Sequence, residues 1–233
     1  MRRLLELRAG EKATLAGASL LLILLSADIV SGGLASRLDE STVDAVAATN
    51  GGPGWARASA DLGGLGISGA VVAIATLFCA HQAWRLWPIV LTSVNLAAVG
   101  SLVTAVKAAV GRTAPPTAVT NTDYAGYFPS GHTATAVVCF GTAAFLVTAM
   151  VGQDLGAPDS VGSRAGWERA EKIAIGVGLA VGVVVGLGTV MTGSHWPTDI
   201  VGGLLVGLLV LVTGVAVVRT QLRRRTGARR RAL

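Results

Sequence analysis

Residues 199–218 read DIVGGLLVGLLVLVTGVAVV, a run whose only charge stands at its first position. About twenty apolar residues, each rising 1.5 Å in a helix, span roughly 30 Å, the thickness of a bilayer's hydrocarbon core. Five further runs of this kind lie upstream, at about 14–35, 62–83, 87–106, 131–151 and 173–192. The whole chain is 52% hydrophobic and 14% charged, a composition that excludes an ordinary soluble domain. The expectation is an all-α, polytopic membrane protein, a six-transmembrane-helix bundle forming one domain over residues 1–233. The first run is too long for a cleavable leader and lacks a small-residue cleavage pattern, so it reads as a retained span.

An even number of spans puts both termini on one side, and the positive charges choose the side. With the N-terminus inside, fifteen of the nineteen Lys and Arg fall in cytoplasmic segments. Only Arg37, Arg57, Lys107 and Arg112 fall outside. That asymmetry fixes cytoplasmic N- and C-termini. The net charge of +6 therefore reads as orientation rather than as a nucleic-acid surface, and the Arg-rich tail within 219–233 (Arg223 to Arg225, Arg229 to Arg231) as an anchor on anionic headgroups. The usage and short loops point to a bacterial inner membrane.

Between the spans, residues 37–61 form an outer loop with a breaker at residues 50–54 and a short surface helix over 38–48, where Val43, Val46 and Ala47 share a face. The tryptophans around Arg85 suit a membrane–water interface. Residues 107–129 are an outer loop, 152–172 a polar and flexible inner one, and 193–197 a tight outer turn. Glycines four apart at 178, 182 and 186, and again at 203 and 207, suit close helix packing in lipid. Cys79 and Cys139 lie inside spans in no metal or redox spacing and read as small buried apolar residues. His81 falls at the inner end of the second span, an interfacial position. Asp28, within the first span, either snorkels to the outer surface or faces a partner.

The chemistry gathers at the outer ends. Pro129-Ser130-Gly131-His132 opens the fourth span. Ser130 is placed as the N-cap, and the first amides beyond it, at Gly131 and His132, sit at the positive helix end and suit an anion. His195-Trp196-Pro197-Thr198-Asp199 opens the last span. At that spacing the Asp199 carboxylate can hold one nitrogen of His195, fix its tautomer and leave the other as a nucleophile. His132 is the matching proton donor on the same side. Lys107 would add positive charge for a phosphate, although lysine at a span end is also an ordinary snorkelling anchor. Two histidines and a carboxylate already committed to one of them make a poor metal cage, so no metal or other cofactor is expected.

These motifs resemble the type 2 phosphatidic acid phosphatase family, membrane branch, which shares its site with vanadium haloperoxidases. The family pattern reads K-x6-R-P, then P-S-G-H, then S-R-x5-H-x3-D. Lys107 and Pro115 match the first part, residues 129–132 the second, and His195 with Asp199 the third. The resemblance implies metal-independent hydrolysis of a lipid phosphate or pyrophosphate through a phosphohistidine, and the charge asymmetry puts the motifs on the extracytoplasmic face. It assigns His195 as nucleophile, His132 as general acid, Asp199 as orienter, and Lys107, Ser130 and Gly131 as phosphate ligands. A polyprenyl pyrophosphate, phosphatidylglycerol phosphate and phosphatidic acid all fit such a site.

The sequence departs from the pattern twice. The first-motif arginine falls at Ala114, and the Ser-Arg pair of the third motif at Gly188-Thr189. Neither Ala nor Thr can grip phosphate bidentately as guanidinium does, and removing one preorganised donor costs about 10²–10³ in rate. Arg112 is the nearby substitute and is expected at the substrate. The alternative is a catalytically impaired homologue that binds or helps transport a lipid phosphate.

Overall fold

The computed structural model describes residues 6–47, 53–83, 86–118, 126–154 and 164–231. They form eight helices: α1 (Ala9–Ser31), α2 (Leu34–Ala47), α3 (Gly54–Leu62), α4 (Leu65–Ala83), α5 (Trp87–Val110), α6 (Gly131–Asp154), α7 (Arg164–Met191) and α8 (Pro197–Arg231). Six of them, α1 and α4 to α8, are long and apolar enough to cross a membrane. All six expected spans are present, and the fold is all-α among the described residues. The breaker at 50–52, the pair Trp84-Arg85 and the side chains of Val46, Ala47 and the arginines beyond residue 222 lie outside the described residues.

The central helices are α6 and α8, with α7 against both. Glycine makes this packing possible. A β-carbon at Gly178 would stand 2.7 Å from the Val137 carbonyl oxygen of α6, and one at Gly207 would stand 2.5 Å from Val137 Cβ. Backbones approach where side chains are missing, as lipid-embedded helices require. Around these contacts Phe145, Leu146, Trp167 and Leu211 fill one half of the bundle, and Phe128, Val138, Val206 and Val99 the other. Outward-facing Ile23 and Leu24 on α1, and Ile74, Leu77 and Phe78 on α4, are exposed. In a hydrocarbon solvent that exposure is the favourable arrangement.

Several boundaries differ from the sequence reading. The first span stops at Ser31, because Gly32 takes a left-handed conformation (φ 65°) and closes the helix. Asp28 then accepts a hydrogen bond from the Ala35 amide (3.0 Å) at the start of α2. Its carboxylate caps the next helix, a role that neither of its sequence readings foresaw. The segment 37–61, read as a loop with one short helix, holds most of α2 and nearly all of α3, and α3 packs along α7. The segment 164–172, expected as flexible loop, is the first two turns of α7.

The polar side chains that disguised those turns are paired inside the bundle. Arg219 of α8, 3% exposed, binds Glu11 of α1 and Glu171 of α7, and Arg8 also meets Glu171 at 3.2 Å. Arg219, the first arginine of the basic tail, belongs to this buried clamp. The clamp brings the start of α1, the start of α7 and Arg219 of α8 together at one end of the bundle, with His81 in the last turn of α4. The phosphate-type motifs lie at the other end.

Candidate active site

The site forms where α5 ends and α6 and α8 begin. On α8, Pro197 occupies the first helical position, where its missing N–H costs nothing. Asp199, two residues on, reaches back: its Oδ2 accepts from the Trp196 amide (3.1 Å) and lies 2.9 Å from His195 Nδ1. A helix-capping carboxylate thus also holds the imidazole. With Nδ1–H directed at Asp199, Nε2 is the nitrogen left with a lone pair. Asp199 is fully buried and His195 nearly so.

The turn before α8 sets where His195 sits. Gly193 adopts φ 70°, a conformation that disfavours any side chain. The amides of Ser194 and His195 both donate to the Thr189 carbonyl (2.9 and 3.3 Å), hooking the turn onto the end of α7. Tyr127 meets His195 edge-on, with ring centroids 5.8 Å apart, and supports it from the loop before α6.

On α6, Ser130 is buried and acts as the expected N-cap: its Oγ accepts from the Thr133 amide at 3.4 Å and from Thr133 Oγ1 at 3.2 Å. The Ser130 amide donates to the Asp199 carbonyl at 2.8 Å, which brings the two motifs together. A β-carbon at Gly203 would come within 2.7 Å of the Ser130 carbonyl, so α8 approaches the loop closely. The Gly131 and His132 amides begin the helix and have no partners within it. His132 is exposed and lies within electrostatic reach of His195, Lys107 and Asp61. The turn after α3 backs it, since a β-carbon at Gly63 would touch His132 Cβ. Lys107 is buried, donates to the Gly126 carbonyl at 2.5 Å and lies 5.8 Å from the Tyr127 ring.

Arg112 faces carboxylates. Its Nη1 donates to Asp199 Oδ1 (2.9 Å) and Thr198 Oγ1 (2.6 Å), its Nη2 to Asp39 Oδ2 (2.5 Å), and its guanidinium lies over the Trp196 ring. Asp39 of α2 was not singled out from the sequence. The available signal was its spacing: Asp39 is one turn before Val43, and the two are 1% and 2% exposed. An acid on the apolar face of an amphipathic helix needs a partner.

The positions of the two absent arginines are occupied otherwise. Thr189 is buried, with its hydroxyl donating to the Gly186 carbonyl. At Gly188 a β-carbon would lie 2.2 Å from Ser59 Oγ and 2.6 Å from the Ala56 carbonyl, so α3 rests directly on that backbone. Among the described residues no group of three or more His, Cys, Asp or Glu is placed to hold a metal ion.

A six-span bundle with two histidines and a capped helix start gathered at one end defines a membrane-embedded protein of the phosphatase-like kind. Residues 87–223 match the PAP2 superfamily profile, and the chain belongs to that superfamily. The fold is similar to the crystal structure of the first transmembrane PAP2-type phosphatidylglycerolphosphate phosphatase from Bacillus subtilis. The TM-score is 0.65 at 20% identity, covering 85% of this chain and 92% of that one. No curated protein matches the chain.

Proposed function

We propose that the protein is an integral-membrane lipid phosphatase acting on a phosphomonoester or pyrophosphate of a lipid at the extracytoplasmic face. The observation that carries this reading is the His195–Asp199 pair held beside the Ser130 helix start through the 2.8 Å bond from Ser130 to Asp199. His195 Nε2 attacks phosphorus, and the bond from phosphorus to the lipid oxygen breaks. His132 gives its proton to the departing oxygen, leaving a phosphohistidine on His195. A water then loses a proton to His132 and attacks the same phosphorus, the N–P bond breaks, and inorganic phosphate leaves. Asp199 keeps the Nδ1 proton in place and stabilises the imidazolium. The Gly131 and His132 amides, the Ser130 cap and the Lys107 ammonium stabilise the oxygens of the transferring group. The excess of positive charge at the clamp end supports an outward-facing site.

A second reading has its own support. Ala114 and Thr189 leave the site without the two motif guanidiniums, and Arg112 is committed to Asp39 and Asp199. On that reading the protein binds or helps transport a lipid phosphate without turnover. The deciding experiment is phosphate release from phosphatidylglycerol phosphate, phosphatidic acid and a polyprenyl pyrophosphate by purified protein in chelator. Release lost in His195→Ala supports the enzyme. Tight binding without release by the wild type supports the carrier.

A further inference from the structure

We infer that Asp39, on the surface helix α2, is a positioning residue for the nucleophile, acting through Arg112 and Asp199. The inference rests on the catalytic reading of His195. Four groups form one chain from α2 to the imidazole: Asp39 to Arg112 at 2.5 Å, Arg112 to Asp199 at 2.9 Å, and Asp199 to His195 Nδ1 at 2.9 Å. Both carboxylates are 1% exposed or less, and the Arg112 side chain is 8% exposed. Interactions in such a setting are little screened by water.

The order of charges decides what Asp39 does. A guanidinium facing Asp199 alone would draw the carboxylate's electron density toward itself and weaken its hold on the imidazole proton. A second carboxylate on the far side of Arg112 offsets that pull, so Asp199 remains a strong acceptor for Nδ1–H. Asp39 also fixes the element that bears Asp199. Its Oδ1 accepts from the Thr198 amide at 3.0 Å and its Oδ2 from the Thr198 hydroxyl, so it caps the first turn of α8 from outside. Arg112 closes the triangle through Thr198 Oγ1 at 2.6 Å. The residue lies outside the stretch 87–223 that matches the superfamily, so this support comes from a part of the chain the shared pattern does not include.

The test compares Asp39→Asn, which preserves shape and removes the charge, with Asp39→Glu, in nanodiscs with the full chain. In Asp39→Asn, kcat falls about 10–100-fold, the scale set by loss of an outer partner of a metal-bound imidazole. KM stays within about threefold, because Asp39 does not touch substrate, and Asp39→Glu recovers part of kcat. A second readout needs no turnover. In histidine-15N-labelled protein without substrate, the His195 Nδ1–H resonance moves on Asp39→Asn. An unmoved resonance overturns the inference, as does a loss of activity matched by a loss of folded protein with kcat per folded molecule unchanged. If the wild type releases no phosphate from any lipid, the enzyme reading fails while the resonance still decides the coupling.

Discussion

The amide of Ser130 donates to the carbonyl of Asp199 across 2.8 Å, joining the start of α6 to the first turn of α8. Both partners are main-chain atoms, so of single substitutions only proline at 130 removes the donor directly. The start of α6, which bears His132, and the turn and first residues of α8, which bear His195 and Asp199, are thereby held in register, the preorganisation that the proposed phosphoryl transfer would require.

Replacing Asp199 by Asn should cost on the order of 10³–10⁴-fold in kcat, because the amide permits the wrong tautomer of His195. It also weakens the Arg112 contact at 2.9 Å. Steady-state kinetics on the best lipid of the panel measure the loss. A loss below about tenfold would remove Asp199 from the role of orienter.

His132→Ala should separate substrates by leaving group. In the proposed mechanism a lipid alkoxide needs the proton assigned to His132, whereas p-nitrophenolate departs without one. Turnover of the lipid should fall by about 10²–10⁴-fold and that of p-nitrophenyl phosphate far less. Equal losses on both would place His132 in binding instead of proton transfer.

Gly203→Ala should destabilise the bundle by about 1–3 kcal/mol, the cost of forcing a methyl into a packed contact. The methyl meets the Ser130 carbonyl at 2.7 Å and Thr133 Cβ at 2.8 Å. Gly100→Ala is the control, since nothing lies within 4 Å of the new carbon. Thermal unfolding in detergent should show the first variant melting well below the second, with lower activity as Ser130 is displaced.

Arg219→Met should lower stability by about 3–5 kcal/mol, because Glu11 and Glu171 lose a buried cation. The clamp sits at the end of the bundle away from His195, so activity per folded molecule should be unchanged. Denaturant melts paired with kinetics separate the two effects.

Apolar runs made the six spans legible, because twenty residues without charge have one stable use in a bilayer. The same criterion hid the start of α7. Glu168 and Glu171 look like loop residues until Arg8 and Arg219, from the two far ends of the chain, are seen to pair with them. The helix α3 was hidden for another reason. It is only nine residues long and the residues it buries, Ala56 and Ser59, are small, while its place is set by the bare backbone of Gly188. At the site, the pairing of His195 with Asp199 was readable because it is local, four residues apart. Arg112 was not, since its partner Asp39 comes from a distant helix and no spacing rule connects the two.

The seat of α3 on Gly188 makes the departure from the shared Ser-Arg pattern a property of two helices at once. A serine restored there would strike the main chain at Ala56 and Ala60 as well as Ser59. Restoring serine at 188 alone would therefore displace α3. Residues 56–60 and 188 form one epistatic unit, to be redesigned together or left alone.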